Sequence, residues 1–192
     1  LERLGLHEER VRVVHSGVDH ERFHPGDEQR EPFLLYPAKP WPHKNHRRLL
    51  AAFANVRSER PELRLVLTGG DFGVTPEGVE QLGFVSDAEL ASLYRRAAAL
   101  VFPSLYEGFG QPPLEAMASG CPVTCSNAGS LPEITGDAAR LFDPTDVDAI
   151  ADGIRDVLDR PEHWRALGFA RAAEFSWDAT ARATEAVYRE LL

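Results

Sequence analysis

The stretch Phe102-Pro-Ser-Leu-Tyr-Glu-Gly-Phe-Gly-Gln-Pro-Pro-Leu-Glu-Ala-Met-Ala-Ser-Gly120 holds the residues best placed to do chemistry. An apolar strand pattern ends at Pro103, glycines follow at Gly108 and Gly110, and a helical pattern begins at Pro112 and Pro113. Glycine lets a backbone turn tightly and come close to a ligand. A helix N-terminus adds free N–H groups and the positive end of a dipole, so strand, glycine loop and helix together make an anion site. Glu107 and Glu115 flank it. An ionised carboxylate accepts two hydroxyl hydrogen bonds. Two of them around a phosphate nest suit a ligand with sugars on both sides of a diphosphate, which is a nucleotide-sugar. Taken alone, the pair reads first as a solvated loop Glu and a Glu favoured by the helix dipole, in a chain with 30 acidic residues.

The elements that must position these groups alternate. Apolar runs at Val11–His15, Phe33–Pro37, Leu63–Thr68, Leu82–Val85, Leu100–Pro103, Pro122–Cys125 and Arg140–Phe142 read as strands. Most lack polar alternation, as in a parallel sheet covered on both faces. Between them, Lys44–Arg57 places Leu49, Leu50, Phe53 and Val56 on one helix face. Ser86 with Glu89 makes a capping box for a helix reaching about Arg96, and Gly120 closes the helix opened by Pro112. Beyond Asp143 the pattern is helical only: Val147–Leu158, Pro161–Glu174, and a last helix capped by Ser176 and running to Leu192.

This order predicts an α/β chain, a Rossmann-like doubly wound, mostly parallel sheet with C-terminal helices. Ligands of such sheets bind at the carboxyl ends of the strands. The loops Pro37–His43, Thr68–Val74, Val85–Asp87, Ser104–Gln111 and Ser126–Pro132 should therefore meet at the site. The Thr68–Gly83 crossover is short for a unit that ordinarily includes a helix.

Composition narrows the classes. A formal charge of −9 over 192 residues argues against nucleic-acid binding, which needs surplus Lys and Arg, yet leaves room for one small basic pocket. No apolar run approaches the roughly 18 residues of a spanning helix. Cys121 and Cys125 lie four residues apart on a strand, about 13 Å at 3.3 Å per residue, too far for a disulfide. They read as reduced, buried thiols of a cytoplasmic protein. Only Lys39 and Lys44 of the 21 basic residues are lysines, and the Arg- and Ala-rich usage suggests a GC-rich bacterial genome. Leu1-Glu-Arg-Leu-Gly-Leu-His7 has no initiator Met or h-region and reads as a helix tail from a longer chain. Asp146-Val-Asp148 resembles a D-x-D metal motif, but Asp at a helix start is favoured structurally. His15, His20 and His24 lack metal-ligand spacing with Cys or Glu.

The spacing Glu107 to Glu115, with Gly-Phe-Gly-Gln-Pro between them, resembles the E-x-x-x-x-x-x-x-E signature of glycosyltransferase family 4, retaining enzymes of the two-domain GT-B fold. Further matches follow in order: Ser16-Gly-Val-Asp19 with Phe23 and Pro25, the basic loop at Lys44, Gly83-Phe-Val-Ser-Asp87, Gly129-Ser-Leu-Pro-Glu-Ile134 and Phe175-Ser-Trp177. The resemblance implies one half of a GT-B fold. Residues 1–25 would be an interdomain segment and first strand, 26–175 the nucleotide-sugar-binding domain, and 176–192 a C-terminal helix.

It also implies roles. Glu107 would contact hydroxyls of the donor sugar, and the Gly108–Gly110 loop, through the Phe109 and Gly110 amides, the sugar and diphosphate. Glu115 would take the ribose hydroxyls, and the backbone near Val85 the base. Lys44 falls on the family's diphosphate-neutralising Lys. The partner Arg position falls at Ala38 or Lys39, and Lys39 would serve there as a point charge without the bidentate fork. Ser130 replaces a frequent Gly and could donate its hydroxyl to phosphate. Apart from these roles, His43, His46, Arg47 and Arg48 read as a charged helix start on the surface.

The expected function is donor binding for a glycosyltransferase, of the hexosyltransferase class, that moves a sugar from a nucleoside diphosphate to a hydroxyl acceptor. No metal or other cofactor is expected. The partners would be the nucleotide-sugar and a missing N-terminal acceptor domain, with no nucleic acid and membrane association left open. The fragment alone is expected to be inactive. A nucleotide-sugar epimerase on the same fold, or a non-catalytic binding module, is the alternative, and the ordered motifs favour the transferase.

Overall fold

The structure is a computed structural model, and it describes residues 7, 10–73 and 75–190. The expected helix tail at residues 1–6, the Val74 end of the second loop and the last two residues of the final helix lie outside the described residues.

Most of the apolar runs do form strands. β1 (Glu31–Pro37), β2 (Arg64–Thr68), β3 (Val79–Gly83), β4 (Ala97–Phe102), β5 (Val123–Ser126) and β6 (Arg140–Phe142) make one parallel sheet in the order β3-β2-β1-β4-β5-β6. This is the doubly wound order that reverses between β1 and β4. Those two strands are central, and Leu34, Leu35, Tyr36, Leu100, Val101 and Phe102 are fully buried. Their register places Leu34 opposite Ala99 and Leu35 opposite Leu100.

Helices cover both faces: α1 (His46–Glu59), α2 (Asp87–Arg96), α3 (Gln111–Ala118), the short α4 (Leu131–Thr135), α5 (Val147–Asp159), α6 (Pro161–Ala172) and α7 (Trp177–Arg189). Leu49, Ala52, Phe53 and Val56 give α1 its apolar stripe. The predicted caps form: Ser86 Oγ accepts from the Glu89 amide at 3.2 Å and Ser176 Oγ from the Ala179 amide at 3.2 Å. Asp146 is likewise a cap, accepting from the amides of Asp148 and Ala149 at 2.9 and 3.2 Å.

Two strand expectations differ. Val11–His15 is no strand; residues 11–17 run as irregular backbone, and the pairing nearby is a bridge from Val18 to Ser176. The segment lies along α7, where Thr180 Oγ1 donates to the His15 carbonyl at 2.7 Å, so it is held by a helix instead of a sheet edge. The third strand sits at Val79–Gly83 instead of Leu82–Val85, because β3 is an edge strand paired with β2 alone and tolerates Glu80 and Gln81. The β2–β3 crossover contains no helix among the described residues. Gln81 holds it, accepting from the Phe72 amide at 2.8 Å and donating to the Gly73 carbonyl at 2.6 Å.

Among the described residues no helix is long and apolar enough to cross a membrane. Both cysteines are free and buried, and burial pushes the Cys121 thiol up to about 11 and Cys125 up to about 12.

Candidate functional site

The loops leaving the carboxyl ends of β1 and β4 meet where the sheet reverses, the crevice in which open α/β sheets take ligands. After β1 the chain makes a turn of 3-10 helix at Pro42–Lys44 and then enters Asn45 at φ 60, the only non-glycine residue with positive φ among the described residues. Asn tolerates that conformation better than most residues. The buried Asn45 side chain supplies the reason for it: Nδ2 donates to the carbonyls of Pro103 at 3.0 Å and Pro144 at 2.7 Å. The Leu105 amide donates to the His43 carbonyl at 2.8 Å, so the β1 and β4 loops are tied together.

That clamp positions Lys44. Its carbonyl accepts from the Tyr36 hydroxyl at 2.6 Å, and its Nζ lies 2.6 Å from Glu107 Oε1 and 5.4 Å from the Phe102 ring centre. The two side chains are only 13% and 14% exposed, so the pair is shielded from bulk water.

The glycine loop behaves differently at its two glycines. Gly110 has φ 115, a backbone conformation that favours glycine, and a Cβ there would lie 2.8 Å from Leu131 Cδ2, so that side chain would have to shift. Gly108 has no positive φ, and a Cβ there would meet nothing within 4 Å; what it leaves is open space beside the loop, not the turn itself. Pro112 and Pro113 remove two of the donors that a helix start normally offers. The N–H groups of Gly108, Phe109, Gly110 and Gln111 have no acceptor among the described residues. The anion-binding potential thus sits in the loop amides more than in the helix end.

Ser130 braces this loop. Its hydroxyl lies 2.6 Å from the Phe109 carbonyl and 3.1 Å from the Glu107 carbonyl. A hydroxyl has one proton to donate. Here it is directed to the loop carbonyls, whereas on sequence grounds Ser130, a departure from the family's frequent Gly, could donate it to phosphate.

Glu115 stands on the second turn of α3, half-buried, its Oε2 accepting from the Tyr94 hydroxyl at 3.1 Å. Burial raises its pKa, the Tyr94 hydrogen bond works against that, Asp87 adds to the rise and Arg22 opposes it. Val85 is half-buried in the loop from β3 to α2, immediately before the Ser86 cap. Lys39 stands apart: its Nζ is 5.2 Å from the Trp41 ring centre, and it makes no ion pair among the described residues. The structure therefore gathers Lys44, Glu107, Ser130 and the amides of Gly108–Gly110, and leaves Lys39 resting on Trp41.

Four features lie outside the sequence expectations. Asn45 is legible in principle, as an Asn just ahead of a helical run. Tyr94, and the Arg22–Asp87 pair at 2.5 Å, carry no local signal. His46 is no surface residue: its Nε2 is buried without a partner, its ring lies between Tyr36 and Phe72, and burial pushes its pKa down to about 4. Three other histidines serve the scaffold: His15 meets Glu133 at 2.8 Å, His20 the Phe175 carbonyl at 2.9 Å, and His24 the carbonyl of Pro25 at 2.8 Å. No group of three His, Cys, Asp or Glu gathers to hold a metal ion among the described residues.

Residues 18–171 match the family described as Glycosyl transferases group 1. The chain belongs to the group 1 glycosyl transferases. It is 40% identical over 176 residues to the O-antigen chain mannosyltransferase B of Escherichia coli, covering 83% of this chain and 46% of that protein. It is 39% identical over 202 residues to the MMP alpha-(1->4)-mannosyltransferase of Mycolicibacterium hassiacum, covering 96% of this chain and 49% of that protein. The fold is also that of Anabaena HepE, solved in complex with UDP-glucose: the TM-score is 0.82 at 19% identity, over 98% of this chain and 60% of the other. The chain therefore spans about half the length of the curated relatives it matches. An alignment of 202 residues exceeds the 192 of this group 1 chain, so the mycobacterial relative carries residues with no counterpart here.

Proposed function

We propose that this chain is the donor-binding half of a retaining glycosyltransferase that moves a hexose from a nucleoside diphosphate to a hydroxyl acceptor. The observation that carries the reading is the shielded Lys44–Glu107 pair set against four unpaired loop amides at the sheet's reversal point. Breaking the bond from the anomeric carbon to the diphosphate leaves the bonding electrons on a phosphate oxygen. A fixed ammonium and preorganised N–H donors stabilise charge that develops there, and in a water-poor site they do so strongly. Lys44 and the amides of Phe109 and Gly110 take that role. Glu107 turns from Lys44 to the hydroxyls of the donor sugar, and Lys39, swinging off Trp41, adds a second charge.

Since Lys44 and the loop amides carry the charge of the leaving group, transfer proceeds without a divalent metal. Two of the relatives are named mannosyltransferases, which favours a mannosyl donor. The acceptor site belongs to a second domain, because the matched relatives are about twice as long. The 192 residues alone then bind donor and transfer little. Two buried free thiols fit a cytoplasmic protein.

The test is thermal unfolding against UDP, GDP and ADP, each free and as its hexose conjugate, with and without EDTA. A ligand at 100 times its Kd adds about 2.7 kcal/mol. That is a rise of about 5–10 °C for a domain of this size. A rise selective for one base that survives EDTA supports the reading. A rise that EDTA abolishes overturns the metal-free part, and the absence of any response overturns donor binding by this chain.

A further inference from the structure

Glu115 and Tyr94 form a contact that the roles described above do not use. The Tyr94 ring is fully buried on α2 and meets Phe23 edge to face, with centres 5.9 Å apart. Among the described residues its hydroxyl makes one hydrogen bond, to Glu115 Oε2 on α3. A buried phenol needs a partner, and a carboxylate is a strong one. From the other side, this is the only hydrogen bond that the Glu115 carboxylate makes among the described residues, and no cation pairs with it there. Arg22, whose charge favours the ionised carboxylate, is occupied by Asp87 at 2.5 Å. One carboxylate oxygen is held and the other, Oε1, has no partner among the described residues.

We propose that Tyr94 is a positioning residue for the donor's ribose: by holding Glu115 Oε2, its hydroxyl presents Oε1 to the ribose hydroxyls. This rests on Glu115 being the ribose acceptor. The arrangement also sets specificity. A nucleotide without ribose hydroxyls leaves a half-buried carboxylate unmatched, and sites built around such an acceptor reject ligands that lack the donor. The same hydroxyl opposes the effect of burial on Glu115, which Asp87 reinforces and Arg22 counters, and so favours the ionised acceptor.

Tyr94→Phe keeps the ring and removes a single oxygen. Titration calorimetry of the 192-residue chain with GDP and UDP, and with their 2′,3′-dideoxy counterparts, reads the proposal directly. The expected result is about tenfold weaker binding of the ribonucleotide and unchanged binding of the dideoxy form. Equal weakening of both, or none, overturns it. Glu115→Gln separates the two layers. If it leaves the ribo-to-dideoxy ratio at its wild-type value, the ribose reading of Glu115 fails. If it collapses the ratio while Tyr94→Phe preserves it, only the role of Tyr94 fails. A ligand-free measurement stands beside these: carbon NMR titration of the Glu115 carboxyl, in which Tyr94→Phe raises the midpoint. An unchanged midpoint in a variant that unfolds at the wild-type temperature overturns the proposal.

Discussion

Replacing Glu107 by glutamine should push two affinities in opposite directions. In the structure Lys44 is paired with Glu107 at 2.6 Å, with the two side chains 13% and 14% exposed. A diphosphate arriving at Lys44 therefore competes with Glu107. The neutral amide of the Glu107→Gln variant cannot hold the ammonium as a carboxylate does, and hydrogen bonds to charged groups are worth about 1.5–3 kcal/mol. Freed of half that competition, Lys44 should bind a bare nucleoside diphosphate up to about tenfold more tightly, since 1.4 kcal/mol is a factor of about ten. The sugar conjugate loses the same carboxylate as an acceptor for its hydroxyls and should bind about 10- to 100-fold more weakly. The variant itself should lose about 1–3 kcal/mol of stability, the cost of leaving Lys44 shielded and poorly paired. Calorimetric titration with GDP, UDP and their hexose conjugates, on wild type and Glu107→Gln, gives both affinities. A parallel fall in the two would refute the competition and leave Glu107 as a scaffold residue. Lys44→Met is the companion variant, and it should weaken both ligands together.

The two glycines of the loop should part company. Gly110→Ala forces a side chain into a left-handed backbone and against Leu131, and should cost about 1–3 kcal/mol in chemical denaturation. Gly108→Ala meets open space and should stay within about 0.5 kcal/mol of wild type while lowering nucleotide affinity, because the new methyl enters space that a ligand of the loop amides would use. For His46 the folded pKa of about 4 lies below the unfolded value of about 6.5, so the unfolded chain binds more protons between these values. Its contribution to stability is complete above about pH 6.5 and is lost as the pH falls toward about 4; Tm measured across this range should slope less steeply in His46→Phe. Cys121 and Cys125, with thiols pushed up to about 11 and about 12 by burial, should resist Ellman's reagent in the native protein and react on unfolding in denaturant.

The sheet was legible because its central strands must be covered on both faces and so read as unbroken apolar runs, Phe33–Pro37 and Leu100–Pro103 most plainly. β3 misled because an edge strand needs backbone partners more than apolar side chains. The Val11–His15 run misled because β-branched residues lying along a helix look the same in sequence as residues covering a sheet. The site was legible in its parts. Glycine spacing and helix caps are local signals, but the Lys44–Glu107 pair joins two loops and the Tyr94–Glu115 bond joins two helices, and no local pattern encodes either. Ser130 shows the same limit: a hydroxyl's partner is decided by the loop that folds over it.

The strand order has a consequence for assembly of the chain. β3-β2-β1 is built entirely from residues 31–83 and β4-β5-β6 from residues 97–142, and within the sheet the halves touch only where β1 meets β4. Each half pairs its strands within itself, while docking the halves closes the longest loop between paired strands of the sheet and carries the largest closure entropy among those pairings. Lys44 comes from the first half and Glu107 from the second. Their ion pair therefore cannot exist until the halves have docked, and a probe of that contact would time the docking itself.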